Sequence, residues 1–344
     1  MTEPAVTPLE PLTEQWQRAL AVVAHPDDLE FGVAAAVARW TGQGKQVVYC
    51  LVTSGEAGID GLAPEQARRV REQEQRASAA LVGVDTVEFL GLPDGILEYG
   101  VPLRRALAEV VRRHRPEIVI TNNFRDTWDG AYALNQADHI ATGRATLDAA
   151  RDAGNRWIFP EQLTDGVQRW DGVREVWAAG SPQATHGVDV TATFAQGVES
   201  LRAHSAYLAG LGDGGFDAEE FLEGFARPIG TRLGVRYGSA FEVFRCSSGS
   251  PVVILLGTSG ATWRASTSDG FRLAVKMSRY GVRLPQQRPG RRGDRRRGRL
   301  RRPVPPGRTS GEPRSGGVTR PPRIGAGRCH LTASSGRDPA AWCP

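Results

Sequence analysis

The stretch that decides the fold reads Ala19-Leu20-Ala21-Val22-Val23-Ala24-His25-Pro26-Asp27-Asp28. Its first half is a short apolar run typical of a buried strand, and its second half carries one imidazole and two carboxylates. An apolar helical pattern follows at once over residues 29–40, so the polar side chains stand at a strand-to-helix junction. Open α/β sheets bind their ligands at such carboxyl ends of strands, and the stretch therefore predicts a functional site.

His25 and Asp28 are three residues apart, and a turn can aim both side chains at one ion. Imidazole plus carboxylate is a ligand set typical of zinc, and a catalytic zinc site needs only three protein ligands. Asp27 then stands beside the ion as a candidate general base. The competing interpretation is a plain turn, because proline and aspartate favour turns and aspartate also caps helices.

Strand and helix patterns alternate from about residue 18 to residue 150. Predicted strands cover 20–24, 46–53, 86–90 and 117–121, and predicted helices cover 29–40, 64–81, 102–114 and 136–151. This alternation predicts an α/β fold with a Rossmann-like, mostly parallel sheet flanked by helices. The following residues continue the pattern, with predicted strands at 174–179, 187–190 and 240–245 and predicted helices at 193–208 and 218–225.

Composition divides the chain into an N-terminal extension (1–17), a folded domain (18–246) and an Arg/Pro/Gly-rich tail (247–344). Residues 251–344 hold 20 basic and 4 acidic residues, a balance of +16. The preceding 250 residues hold 23 basic and 34 acidic residues, a balance of −11. The tail has almost no apolar periodicity, which predicts disorder because it cannot bury enough surface to offset the entropy of ordering.

The basic tail is compatible with binding to nucleic-acid phosphates, but no aromatic residue interrupts the arginine run at 291–297. Stacking on bases is therefore unsupported, and a nucleic-acid partner is disfavoured. Out-of-frame translation of GC-rich DNA is an alternative origin for the tail. Residues 1–14 do not resemble a signal peptide, and no apolar run is long enough to span a bilayer, which predicts a cytoplasmic protein. The cysteines show no metal-site spacing.

A third metal ligand is best supplied by His139, in Asn135-Gln136-Ala137-Asp138-His139. This histidine begins the helix that follows the predicted strand 117–121, so a parallel sheet would bring it to the same edge as His25. Asp138 is adjacent and can orient a metal ligand through a hydrogen bond. A later histidine, His204, is open to two interpretations, a positioning role or a surface position, and the surface position is favoured.

Several motifs in this order resemble the LmbE/PIG-L family of zinc-dependent N-deacetylases. They are Ala24-His25-Pro26-Asp27-Asp28, Thr53-Ser54-Gly55-Glu56-Ala57-Gly58, Arg71-Glu72-Gln73-Glu74, Gly91-Leu92-Pro93-Asp94-Gly95 and Asp138-His139. The resemblance covers roughly residues 18–245. It implies a Rossmann-like enzyme that removes the acyl group from an N-acylated amino sugar or related conjugate, a small-molecule substrate.

The resemblance also implies roles for individual residues. His25, Asp28 and His139 would be the zinc ligands, and Asp27 the general base. Histidine and carboxylate ligands accept Fe²⁺ as well as Zn²⁺, so the native metal stays open.

Three further positions would contact substrate in the same resemblance: Arg71, Asp94 and Glu56. Their alternative interpretation is structural, as a helix-surface ion pair for Arg71 and as loop carboxylates for Asp94 and Glu56.

One position departs from the family pattern, which usually reads His-Pro-Asp-His in the second motif. Gln136 stands where the first of those histidines is thought to help stabilise the oxyanion. A glutamine amide can donate a hydrogen bond to an oxyanion but carries neither charge nor a transferable proton. Three alternatives therefore stay open: an amidase acting on a thiol-sugar conjugate, a catalytically weakened zinc- and sugar-binding homologue, and a nucleic-acid-binding protein. The oligomeric state is not predicted.

Overall fold

A computed structural model describes residues 7–128, 133–164, 166–211 and 215–246, and the predicted tail lies outside these described residues. The strands are β1 (Glu10–Pro11), β2 (Arg18–Val23), β3 (Gln46–Leu51), β4 (Thr86–Phe89), β5 (Ile118–Asn122), β6 (Glu175–Ala179), β7 (His186–Asp189) and β8 (Gly238–Arg245). The α-helices are α1 (Ala34–Gly42), α2 (Pro64–Leu81), α3 (Val101–His114), α4 (Ala137–Asp152), α5 (Phe194–Arg202), α6 (Ser205–Gly210) and α7 (Ala218–Leu233).

The strands form one sheet in the order β1-β7-β8-β6-β5-β2-β3-β4. The strands β2 to β6 pair in parallel, and β8 runs antiparallel between β6 and β7. The prediction of a mostly parallel sheet flanked by helices is therefore confirmed. The chain moves from β2 outward through β3 and β4 and then returns to the other side of β2 with β5, which creates a topological switch point between β2 and β5.

The central strand β2 is buried on both faces, because helices cover both sides of the sheet. Ala19, Ala21 and Val23 pack into the apolar layer that contains α1 and α5, whereas Leu20 and Val22 pack into the layer formed with α3 and α4. This alternation explains why the strand reads as a continuous apolar run rather than as apolar and polar residues in turn.

The N-terminal segment packs as part of the folded domain. Glu10–Pro11 pairs in parallel with β7, and Leu9, Leu12 and Trp16 are buried. The ring of Trp16 lies edge-on to those of Trp40 and Trp177, at centroid distances of 5.4 and 6.0 Å. Residues 7–17, which the composition sets apart as an extension, thus extend both the sheet and the core.

The helices differ from the predicted ones at three places. Helix α1 begins at Ala34 rather than at residue 29, and the predicted helix 193–208 is divided into α5 and α6 at residues 203–204. Helix α7 continues eight residues past 225 in spite of Pro228, because Leu222, Ala226 and Gly230 bury one continuous face. No helix in the described part of the chain is both long and apolar enough to cross a bilayer.

Candidate active site

The turn after β2 lies at the switch point and carries His25, Asp27 and Asp28. Helix α4 follows the neighbouring strand β5 and brings His139 to the same edge of the sheet. All four side chains are at least nine-tenths buried. The structure therefore brings together the residues that the sequence proposes as metal ligands and general base.

The three predicted ligands converge on one point. Nε2 of His139 lies 2.9 Å from Oδ1 of Asp28 and 3.2 Å from Nδ1 of His25, and His25 Nδ1 lies 3.8 Å from Asp28 Oδ2. Tetrahedral zinc with ligands at about 2.0–2.1 Å separates its ligand atoms by roughly 3.3 Å. Two ring nitrogens and a carboxylate oxygen at these separations therefore fit a divalent cation of zinc type.

The charges at this point are balanced by proximity. Burial opposes ionisation of Asp28, but the hydrogen bonds and positive charges of His139 and His25 outweigh it and lower the pKa of Asp28 far below its usual value. Asp28 is therefore a carboxylate throughout the physiological range, which is the form that binds a metal.

His139 is oriented by an amide rather than by a carboxylate. Its Nδ1 lies 2.9 Å from Oδ1 of Asn135, whose Nδ2 donates to the backbone oxygens of Asn123 and Arg125. Because the Asn135 oxygen accepts, Nδ1 of His139 carries the proton and the lone pair of Nε2 faces the ligand cluster. Asn135 stands one turn before His139 in the sequence, a spacing that could have indicated this role.

His25 is oriented by two carboxylates on its far side. Its Nε2 lies 3.1 Å from Asp94 Oδ1 and 3.4 Å from Asp138 Oδ2, which leaves Nδ1 facing the ligand cluster. Asp138 also accepts hydrogen bonds from the backbone of Gly95 and Leu97, so the loop after β4 is tied to α4. The sequence placed Asp138 beside its neighbour His139, but the structure brings its carboxylate to His25.

Asp27 adopts a backbone conformation that non-glycine residues rarely adopt, with φ of 88°. Its carboxylate accepts a hydrogen bond of 2.7 Å from Nη2 of Arg71, and its backbone N–H donates to Oε1 of Gln75 at 2.9 Å. Burial raises the pKa of Asp27 to about 6, against the opposing positive charge of Arg71. Asp27 is thus held beside the ligand cluster with a carboxyl group whose pKa suits a general base.

Arg71 is 3% exposed and connects three segments around the site. Besides Asp27, its guanidinium donates to the backbone oxygens of Pro26 and Gly55 and lies 4.1 Å from the ring centroid of Tyr207. A Cβ on Gly55 would lie 2.5 Å from Nη1 of Arg71, so only glycine leaves room for it. The structure places Arg71 as an inward-facing link rather than on the helix surface.

The other predicted substrate contacts also lie in this shell. Glu56 pairs with Arg68 at 3.3 Å and accepts from the backbone of Asp94, whose own carboxylate accepts from the backbone of Ala57 at 2.8 Å. Gln136 is half-buried and occupies the N-cap position of α4, three residues before His139. These positions ring the ligand cluster, and their roles towards a substrate stay predictions.

The prediction of a surface position for His204 is wrong. Its side chain is fully buried, and its Nε2 lies 3.6 Å from Oε2 of Glu30, which is also fully buried. The sequence signal was the position of Glu30 inside an apolar stretch, where a carboxylate needs a buried partner.

Comparison with known proteins gives a consistent assignment. The family model described as GlcNAc-PI de-N-acetylase (PIG-L) matches residues 20–150, which contain every residue of the ligand cluster. A diacetylchitobiose deacetylase of Thermococcus kodakarensis is 24% identical over 65% of this chain and 80% of its own length. A mycothiol S-conjugate amidase of Streptomyces coelicolor is 30% identical over 42% of this chain and 55% of its own length.

The fold is also found in solved structures. The N,N'-diacetylchitobiose deacetylase of Pyrococcus horikoshii superposes with a TM-score of 0.60, at 23% identity, over 67% of this chain and 85% of that one. At this level of identity the likeness concerns the fold, and the chemistry must be argued from the side chains themselves.

Proposed function

Because residues 20–150 belong to the PIG-L (LmbE-like) family of N-deacetylases, we propose that this protein is a metal-dependent hydrolase that releases acetate from an N-acetylglucosamine derivative. One observation carries the proposal: two imidazole nitrogens and a carboxylate oxygen converge within hydrogen-bonding distances, with a second carboxylate adjacent to them. The proposed substrate class is a glycoside or conjugate of N-acetylglucosamine.

His25, Asp28 and His139 would hold the metal, which we propose to be Zn²⁺, with Fe²⁺ as the alternative that the same ligands accept. When bound, such an ion supplies Lewis acidity to the amide carbonyl and to the attacking water. Asn135, Asp94 and Asp138 fix which nitrogen of each imidazole is available to it.

Asp27 would act as the general base. Its carboxylate takes a proton from water as the water oxygen bonds to the amide carbon. The same proton then passes to the amide nitrogen as the C–N bond breaks, so that acetate and a free amine are formed. Arg71 and Gln75 keep the Asp27 carboxylate and backbone in place during both transfers.

Gln136 would donate its side-chain amide to the oxyanion that develops on the carbonyl oxygen. Its place at the start of α4, one turn before His139, puts it at the edge of the sheet where the carbonyl must lie. Because a glutamine transfers no proton, protonation of the leaving amine falls to Asp27.

The test is release of free amine from N-acetylglucosamine and diacetylchitobiose by the full-length protein loaded with zinc, compared with Asp27→Asn and with Asp85→Asn as the matched control. Asp85 is an exposed aspartate before β4, so its amide variant should keep wild-type activity and metal content. Asp27→Asn should keep the metal and lose at least 100-fold in kcat. Equal rates for Asp27→Asn and wild type would remove Asp27 from the mechanism.

A second candidate function is favoured by the similarity to a mycothiol S-conjugate amidase. The same residues hydrolyse a larger N-acyl group equally well, because the bond broken is again an amide. Amine release from a thiol-sugar conjugate, measured beside the acetylated sugars, distinguishes the two. A protein that binds zinc but hydrolyses none of these substrates would instead be the catalytically weakened homologue suggested by Gln136.

A further inference from the structure

The conformation of Asp27 requires support from its surroundings. A non-glycine residue with positive φ costs about 1–3 kcal/mol and persists only where neighbouring contacts enforce it. At Asp27, the backbone N–H is held by Gln75 and the carboxylate by Arg71. The position of the proposed general base therefore depends on how firmly Gln75 itself is held.

Gln75 is fixed by a buried carboxylate. Its Oε1 accepts from Asp27, so its Nε2 must donate on the other side, where it lies 2.9 Å from Oε1 of Glu30. The hydroxyl of Ser78 donates to the same oxygen at 2.7 Å. Gln75 and Glu30 are each 1% exposed, and Ser78 is fully buried. Glu30 thus determines the orientation of the amide that holds Asp27.

Glu30 faces one cationic group through its second oxygen. Oε2 has no hydrogen-bond partner among the described residues, and it lies 3.6 Å from Nε2 of His204, whose ring nitrogens are likewise without a hydrogen bond there. A buried carboxylate is costly unless a positive charge compensates it. Burial opposes protonation of His204, but Glu30 outweighs it and raises the pKa of the imidazole. The pair is therefore a buried carboxylate and imidazolium.

We propose that Glu30 and His204 are positioning residues, which as a buried ion pair hold Gln75 and, through it, the backbone of Asp27 in its catalytic conformation. The inference rests on the proposed function for its effect on turnover. It also assigns a role to the break between α5 and α6, because His204 turns inward at that break. Tyr207, one turn further on in α6, lies over Arg71 and completes the same wall.

The experiment compares Glu30→Gln, His204→Gln and their double variant with wild type, all as full-length protein. His114→Gln is the matched control, because His114 also pairs with a glutamate, Glu88, at 2.8 Å but lies at the end of α3 away from Asp27. Two quantities are measured: hydrogen exchange of the peptide containing Asp27, and kcat and KM for the acetylated sugar together with zinc content.

Each single variant should lower kcat about 10- to 100-fold with KM and zinc content within twofold of wild type, and should speed exchange of the Asp27 amide. The double variant should be no slower than the slower single variant, because both substitutions break one pair. His114→Gln should match wild type. If a single variant fails to fold, the double variant, which removes both charges together, is measured in its place.

Unchanged kcat and unchanged exchange in the variants would overturn the inference. If the wild type hydrolyses none of the sugars, the proposed function fails, and the exchange measurement alone then decides whether Glu30 and His204 hold Asp27.

Discussion

At the scale of single residues, the site combines a predictable centre with a surrounding shell of less obvious origin. The ligands stand directly after a strand and at the start of a helix, where the order of elements alone brings them to one edge. His25 is then locked by Asp94 and Asp138, which come from two other segments of the chain. The chemistry of the centre thus depends on contacts between loops.

The metal prediction belongs to this scale. His139→Ala should reduce zinc content at least tenfold, because it removes one of two nitrogen donors. His186→Ala, which removes a histidine from β7 on another part of the sheet, should leave zinc content unchanged. Metal analysis of both purified variants after equal zinc loading measures the effect, and equal occupancy in the two would exclude His139 as a ligand.

The departure at Gln136 makes a separate prediction. Gln136→Ala should lower kcat about 100-fold with unchanged zinc content, because one oxyanion donor is lost. Steady-state kinetics on the acetylated sugar provide the measurement. An alanine variant as fast as wild type would show that the oxyanion is stabilised without this side chain.

The sequence predicted the centre of the site because short-range order determines it, and it missed the shell because tertiary approach determines that. The proximity of Asp94 to His25 and the inward turn of His204 follow from how the loop after β4 and the break before α6 pack. Neither has a periodic signal. The substrate contacts proposed for Arg71, Asp94 and Glu56 likewise depend on loop geometry and stay predictions.

At the scale of elements, α4 must approach β5 closely in order to present His139. Gly143, one turn after His139 on the same face of α4, makes this approach possible, because a Cβ there would lie 2.7 Å from Cβ of Phe124 and 3.2 Å from the backbone oxygen of Asn122. The helical pattern of α4 is readable in the sequence, whereas its distance from the strand depends on this contact.

Gly143→Ala should therefore destabilise the protein by about 1–3 kcal/mol through overpacking, although alanine is the better helix former. The control is Gly224→Ala in α7, where a Cβ meets nothing within 4 Å and helix propensity should add about 0.5–1 kcal/mol of stability. Urea unfolding of both variants measures the difference. A stabilising Gly143→Ala would mean that α4 has room to move.

At the scale of the whole molecule, the N-terminal segment closes the core through Glu14. Its carboxylate accepts from Nε and Nη2 of Arg39, both at 2.9 Å, and from the indole of Trp40 at 2.7 Å. Composition marked this segment as an extension because it is rich in proline and glutamate, and composition does not reveal that its few apolar residues are buried.

These contacts give a pH-dependent contribution to stability. Burial opposes ionisation of Glu14, but Arg39 and Trp40 outweigh it and lower the pKa below the ordinary value of 4.5. The folded state therefore favours the charged form, so the contribution is present above pH 4.5 and is lost as the pH falls through the lowered pKa.

The difference in unfolding free energy between wild type and Glu14→Gln should accordingly be largest near neutral pH and shrink below pH 4.5. Urea unfolding across the pH range measures it, with the exposed Glu10→Gln as the control. A difference that is constant with pH would indicate that the shape of the side chain matters rather than its charge.

The contacts of Arg71 have a consequence for engineering. One guanidinium joins the turn after β2 to the loop after β3, and it is anchored on α2. A loop transplanted from another enzyme to change selectivity would therefore disturb the base unless it kept the glycine that faces Arg71. The practical unit of exchange is the loop together with its helix, and libraries that randomise residues 54–58 alone should yield mostly inactive clones.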